Sequence, residues 1–188
     1  MTLAAAVLAA AMRVVASPAY AEGAPPGFSG GFNEESCHAC HFHEQLNSVG
    51  GRVTIEGVPA SFEAGQRYTL SVTLTRAGMK RAGFQLATRF KDTGAQAGTL
   101  APGPGEEERV TVESQSGVQY ASQKKGGSPV SAADATRWLI EWIAPERGGQ
   151  VIVHVSANAA DGNESADGDF VYTAASESAS ASAPRQLD

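Results

Sequence analysis

The chain has 188 residues, 14 Lys and Arg against 20 Asp and Glu, and a formal net charge of −6. This balance argues against nucleic-acid binding and favours docking on a basic partner. With 42 % hydrophobic residues, the composition and length suit one globular domain.

Residues 1–21 read as a secretory signal. Leu3 to Met12 is an apolar, Ala-rich run, and Ala19-Tyr20-Ala21 is an A-x-A cleavage site. The usual basic n-region is missing, because Arg13 follows the apolar run. Cleavage after Ala21 removes Arg13 and makes the chain one charge more negative. The run is too short for a convincing membrane span, and no second apolar stretch follows. The expectation is an exported bacterial protein, periplasmic or extracellular, without stable membrane insertion of the mature chain.

Residues 22–50 form a Gly- and Pro-rich lead-in, with Gly23-Ala24-Pro25-Pro26-Gly27 and Gly30-Gly31 as its irregular start. It delivers the chain to Cys37-His38-Ala39-Cys40-His41, which contains both cysteines of the sequence. C-x-x-C-H is the attachment signature of a c-type haem. Two thiols at this spacing bond to the two vinyl groups of one porphyrin, and the following His gives an imidazole nitrogen to the iron. One haem c is the expected cofactor, with Cys37 and Cys40 as attachment residues and His41 as the proximal iron ligand. Two other readings of these residues stay open. In an oxidising compartment Cys37 and Cys40 pair as a disulfide, although so short a loop contributes little stability. A zinc site would use Cys37, Cys40, His41 and His43, at a spacing cramped for a four-ligand zinc fold. A short helix is expected over about 40–47.

From Arg52 onward the apolar period is two. Tyr68, Leu70, Val72 and Leu74 alternate with Thr69, Ser71, Thr73 and Thr75, the pattern of a half-buried antiparallel strand. The alternation recurs at Val53/Ile55, Phe84/Leu86, Val110/Val112, Trp138/Ile140/Trp142, Val151/Val153/Val155 and Phe170/Tyr172. Turn signals separate the runs, among them Ala77-Gly78, Gly126-Gly127, Gly148-Gly149 and Asp161-Gly162-Asn163. Seven or more short strands so punctuated predict an all-β antiparallel sandwich over 51–173. Trp138 and Trp142 share one face with Ile140 and are expected in its core. The tail 174–188 is Ser- and Ala-rich and is expected to be disordered. Asn163-Glu164-Ser165 matches a glycosylation sequon of little weight in a bacterial chain. No G-x-S-x-G, H-E-x-x-H or phosphate loop occurs, so no catalytic residue is expected.

Four stretches resemble the reelin-type (reeler) domain of exported bacterial proteins. They are Gly51–Pro59, Tyr68–Leu74, Ala82-Gly83-Phe84-Gln85-Leu86 with Gln96–Leu100, and Ser156–Asn163 with Gly168–Thr173. Together they span roughly residues 50–173. The resemblance implies an immunoglobulin-like sandwich and little about function. Reeler domains are best known as extracellular binding modules in animal proteins. Bacterial relatives often place a C-x-x-C or C-x-x-C-H just before the sandwich, as here.

The sixth iron position decides between electron transfer and ligand chemistry. His38 lies within the thioether loop, His43 is two residues from His41, and Met1 and Met12 leave with the signal. Met79, in the basic loop Thr75 to Arg81, and His154, on a strand face with Ile152 and Ser156, are the candidate sixth ligands. Both have ordinary structural readings, and an open position is the third choice. Arg76, Lys80 and Arg81 are candidate partners for the haem propionates. The chain is expected to be a monohaem c-type cytochrome that exchanges single electrons with a redox partner protein, its haem held at the sandwich margin. The alternatives are a binding or adhesion module with a Cys37–Cys40 disulfide and no haem, and a haem-based sensor of small ligands.

Overall fold

The computed structural model describes residues 22–181. The expected signal, residues 1–21, lies outside the described residues, as does 182–188. The described residues form ten strands, the alternating runs among them: β1 (Gly51–Glu56), β2 (Ser61–Phe62), β3 (Arg67–Arg76), β4 (Arg81–Phe90), β5 (Thr99–Pro102), β6 (Val110–Gln115), β7 (Val118–Gln123), β8 (Ala135–Ile143), β9 (Gln150–Ala160) and β10 (Phe170–Ser180). They make a four-stranded sheet in the order β1-β3-β8-β5 and a six-stranded sheet in the order β2-β10-β9-β4-β7-β6. Every pairing is antiparallel except β2 with β10.

The two sheets bury their apolar faces against each other. Leu70, Val72 and Leu74 of β3 and Trp138, Ile140 and Trp142 of β8 meet Phe84 and Leu86 of β4 and Val151, Val153 and Val155 of β9. Trp138 and Trp142 are fully buried, as the strand period predicts. Each indole N–H finds a carbonyl at 2.9 Å, Gly127 for Trp138 and Ala97 for Trp142, so neither polar handle is stranded. Pro102 is tolerated because β5 is an edge strand.

Two sequence expectations are corrected. Residues 174–180, expected to be disordered, complete β10, which lies between β9 and β2. Small Ser and Ala side chains suffice there because the ladder to β9 runs from Phe170 to Ala179 and Ser178 is buried. The short helix expected over 40–47 is instead a single 3-10 turn, Cys37–Ala39, followed by turns and bends.

The lead-in is irregular, as expected, but it is not loose. It crosses the outer face of the six-stranded sheet. The burial pattern records this cover: β9 alternates from Val151 to Val155, then is buried without a break to Ala159. In a strand covered on one side only, Ser156 and Asn158 would face water. Here the outward Gln85 of β4 donates to the carbonyls of Ala24 (3.2 Å) and Pro25 (2.9 Å) and accepts from the Phe28 N–H. Arg89 of β4 meets Glu34, which also accepts from the Tyr120 hydroxyl of β7. Asn47 closes the strap on β10, its N–H donating to the Val171 carbonyl at 2.9 Å and its Oδ1 accepting the Thr173 N–H at 2.8 Å.

Gly31 passes directly over His154. A Cβ built on Gly31 would lie 2.3 Å from the imidazole Cγ. Phe32 then packs edge-on to the same ring at 5.5 Å. Gly31→Ala is therefore expected to lift the strap at a cost of roughly 1–3 kcal/mol, the scale of overpacking a filled site. Urea unfolding measures the loss, and faster proteolysis within residues 22–36 locates it.

The covered His154 imidazole is pushed below its ordinary value, first by burial and then by the nearby Arg89 guanidinium. The folded chain thus resists a proton that the unfolded chain accepts. Stability from this site is complete above the ordinary histidine value, about 6.5, and falls away as pH drops below it. The melting temperature is expected to fall from neutral pH to about pH 5, and less steeply in His154→Gln.

Candidate functional site

The C-x-x-C-H motif lies on the strap where it crosses β9. A short bridge between Ser29 and Ser36 brings the chain to it. Ser36 caps the 3-10 turn, its Oγ accepting the His38 N–H at 3.2 Å. The Cys37 N–H donates to Ser156 Oγ of β9 at 3.0 Å, which fixes the start of the motif on the sheet. The His41 N–H returns to the Cys37 carbonyl at 3.0 Å, closing the loop. His38 turns away, its Nε2 at 2.9 Å from the Glu44 carbonyl.

His41 points into a polar corner formed by β9 and the β9–β10 loop. Its Nδ1 lies 2.7 Å from Asp169 Oδ2 and 3.2 Å from Asn158 Nδ2. Asn158 Nδ2 itself lies 3.1 Å from Asp169 Oδ2. A carboxylate only accepts, so the short contact puts the proton on Nδ1. A protonated Nδ1 has no lone pair for Asn158, whose amide therefore donates to Asp169. In the neutral ring the lone pair then sits on Nε2. The His41 side chain is 34 % exposed, whereas Asp169 is 2 % exposed. The orienting contact is thus buried while the ring reaches the surface. His43 Nε2 similarly meets Asp167 Oδ1 at 2.8 Å.

The loop supplying these carboxylates is ordered by its own side chains. Asp161 Oδ1 accepts the Asn163 N–H at 2.9 Å, Asn163 Oδ1 accepts the Ser165 N–H at 2.7 Å, and Ser165 Oγ accepts the Asp167 N–H at 3.1 Å. Such successive side-chain turns hold a loop without a regular ladder. Asp169 Oδ1 accepts the Asp161 N–H at 3.3 Å and ties the two ends together.

Cys37 and Cys40 are free thiols. Burial pushes the Cys37 thiol up to about 11, opposed by the hydrogen bond to Ser156. A redox C-x-x-C needs the opposite, a thiol lowered toward neutrality. Cys40 is exposed. Among the described residues the exposed large apolar side chains are Phe42 (59 %), Leu46 (38 %) and Val49 (94 %), and all three directly follow the motif.

Both candidate sixth ligands are packed against other residues. Met79 folds into the sandwich interior and belongs to its core cluster, the ordinary reading of a loop methionine. It also lines a small cleft of about 110 Å³ with Arg76, Asp161 and Phe170. His154 lies beneath Gly31 and Phe32. Arg76 is not a free propionate partner: its guanidinium lies 3.1 Å from the Phe170 ring centre and donates to the Tyr172 hydroxyl at 2.6 Å and the Val49 carbonyl at 3.0 Å. Lys80 and Arg81 are exposed. No cluster of three or more His, Cys, Asp or Glu side chains suited to a metal ion forms among the described residues, so the four zinc ligands do not converge. Sequence reading missed Ser156, Asn158, Asp167 and Asp169. Their one signal was polarity, Ser and Asn interrupting an apolar strand and Asp-Gly-Asp opening the next.

No protein-family model matches the chain, and no curated protein matches it. Solved structures do. The human F-spondin reeler domain is 19 % identical, with 73 % of this chain and 93 % of that one covered and a TM-score of 0.51. A second structure, the Reelin-N domain of F-spondin, is 21 % identical over 74 % of this chain and 92 % of that one, with a TM-score of 0.46. A cohesin module from a Clostridium perfringens glycoside hydrolase is 11 % identical over 70 % and 97 %, with a TM-score of 0.45. Identity at this level speaks for the fold alone: the chain folds as a reeler-like, immunoglobulin-type β-sandwich of two sheets.

Proposed function

We propose that this chain is an exported c-type cytochrome that attaches one haem through Cys37 and Cys40 and exchanges single electrons with a partner protein. One observation carries the reading. His41, the histidine of C-x-x-C-H, has Nδ1 held by buried Asp169 at 2.7 Å and keeps Nε2 for a metal. A disulfide has no use for that arrangement. The residues fit the group in two further respects. Both thiols are free, and the exposed large apolar side chains among the described residues, Phe42, Leu46 and Val49, follow them within nine positions of the chain. Bound haem supplies a one-electron couple.

The chain's own residues do the rest. Cys37 and Cys40 anchor, with Ser156 fixing the Cys37 backbone on β9. His41 presents a nitrogen, and Asp169 and Asn158 orient it. The sandwich contributes a rigid platform, and no catalytic side chain is required. The exposed edge of the site favours electron exchange with a docking partner. The negative charge of the chain favours a basic one. Export is supported by the signal-like residues 1–21, since secretion accompanies covalent haem attachment in this reading. No helix among the described residues is long and apolar enough to cross a membrane.

A second reading follows from the fold. The reeler domain of F-spondin is one structural match, and a sandwich of this kind supports recognition through its loops. In that case the chain is an extracellular binding module, with Cys37 and Cys40 joined or idle. The haem-based ligand sensor remains the variant of the first reading in which the sixth iron position is open.

The full chain co-produced with a c-type maturation system is expected to gain the mass of one haem and to give a c-type pyridine haemochrome band. Cys37→Ala with Cys40→Ala is expected to abolish both. Loss of two hydrogens in place of the haem mass selects the binding-module reading. In chain made without maturation, Cys40 is expected to react with iodoacetamide well before Cys37. At pH 8 a thiol near 11 is only about one part in a thousand thiolate. Equal rates, read by peptide mass spectrometry, would refute the raised thiol of half-buried Cys37.

A further inference from the structure

Asp169 is a buried carboxylate at the start of β10, and nothing in the sandwich core explains it. It is 2 % exposed, yet no Lys or Arg pairs with it among the described residues. Its hydrogen bonds come from His41 Nδ1 (2.7 Å), Asn158 Nδ2 (3.1 Å) and the Asp161 N–H (3.3 Å). A buried carboxylate with only these donors is costly unless it orients something. Asn158 is 8 % exposed, and its Oδ1 has no partner, so this amide is held with its N–H toward Asp169 rather than for its own satisfaction. Both Asp169 oxygens are thus engaged, Oδ1 by the Asp161 N–H and Oδ2 by Asn158 and by one nitrogen of the His41 ring.

We propose that Asp169, steadied by Asn158, is the positioning residue for His41: its carboxylate accepts the hydrogen bond of Nδ1–H, so that Nε2 is the nitrogen available to a metal, and its charge would bias bound iron toward the ferric state. The inference deepens the haem reading above and rests on it. The physical reason is that a hydrogen bond from Nδ1–H to a carboxylate makes the imidazole a stronger donor through Nε2. A stronger donor, with a buried negative charge behind it, stabilises the more positive oxidation state of the iron. No bond is made or broken in the protein. One electron enters or leaves through the redox partner, and the Nδ1 proton stays between His41 and Asp169. Electrostatics alone fixes the sign: removing the charge raises the reduction potential.

Two measurements test this on the full chain. In the haem-loaded protein, Asp169→Asn is expected to raise the midpoint potential at unchanged covalent haem content, and Asp169→Glu to return it toward the wild-type value. An unchanged potential in Asp169→Asn, with the haemochrome band intact, overturns the inference and leaves the haem reading standing. In haem-free protein, ring-nitrogen NMR in mildly alkaline buffer is expected to find His41 as the Nδ1–H tautomer. An Nε2–H tautomer overturns the inference whatever the haem content, and this measurement decides the matter if Asp169→Asn does not fold. A wild type that acquires no haem under competent maturation ends both readings, and the missing haemochrome band distinguishes that outcome from the others.

Discussion

The outer face of the six-stranded sheet is polar and nevertheless buried, and the rest of the structure depends on how that conflict is resolved. Gln85, Ser156 and Asn158 point away from the apolar core, and Gln85 and Ser156 have no exposure at all. Leaving such groups without partners costs about 1–3 kcal/mol each. Residues 22–49 supply the partners: carbonyls of Ala24 and Pro25 for Gln85, the Cys37 N–H for Ser156, and Glu34 for Arg89 and Tyr120. Strap and sheet are thus one structure. Without the strap the sheet would present a row of hydrogen-bonding groups to water, and without the sheet the Gly- and Pro-rich strap would have no reason to hold a shape.

The same docking gives the motif its rigidity. A five-residue segment has too few internal bonds to fix a histidine ring. Here the ring is held by Asp169 of the β9–β10 loop, and Asn158 of β9 donates to that carboxylate. That loop in turn is braced by the Asp161, Asn163 and Ser165 side chains. The corner is built on two neighbouring strands, so its precision comes from the sheet and not from the strap. The function proposed for the chain needs that precision, because a ligand nitrogen must be both correctly protonated and correctly aimed.

Fold class was legible wherever one strand face met the core and the other met water or a polar layer. Leu70, Val72 and Leu74 in β3 and Trp138, Ile140 and Trp142 in β8 gave clean alternation and were found buried. β7 gave none, since Tyr120, Ala121, Ser122 and Gln123 are all buried. With both faces covered, a strand loses its period of two. β2 is two residues long, too short for any pattern. The end of β10 looked disordered because Ala and Ser have little hydrophobic signal, yet pairing on both flanks orders them.

From the sequence alone came the cofactor hypothesis, through Cys37, Cys40 and His41, and the sandwich, through its period of two. Both are local properties: a covalent spacing and a side-chain alternation are written in consecutive residues. The partner of His41 was not. Asp169 lies 128 positions away in the chain, and only the pairing of β10 with β9 sets it beside Asn158 and within 2.7 Å of the ring. The same holds for Met79 and His154, both eligible by chemistry. Tertiary packing set their surroundings: Met79 fills the core, and Gly31 and Phe32 cover His154. Residue chemistry can be read in sequence, but which residues meet depends on sheet topology and on which face the strap covers.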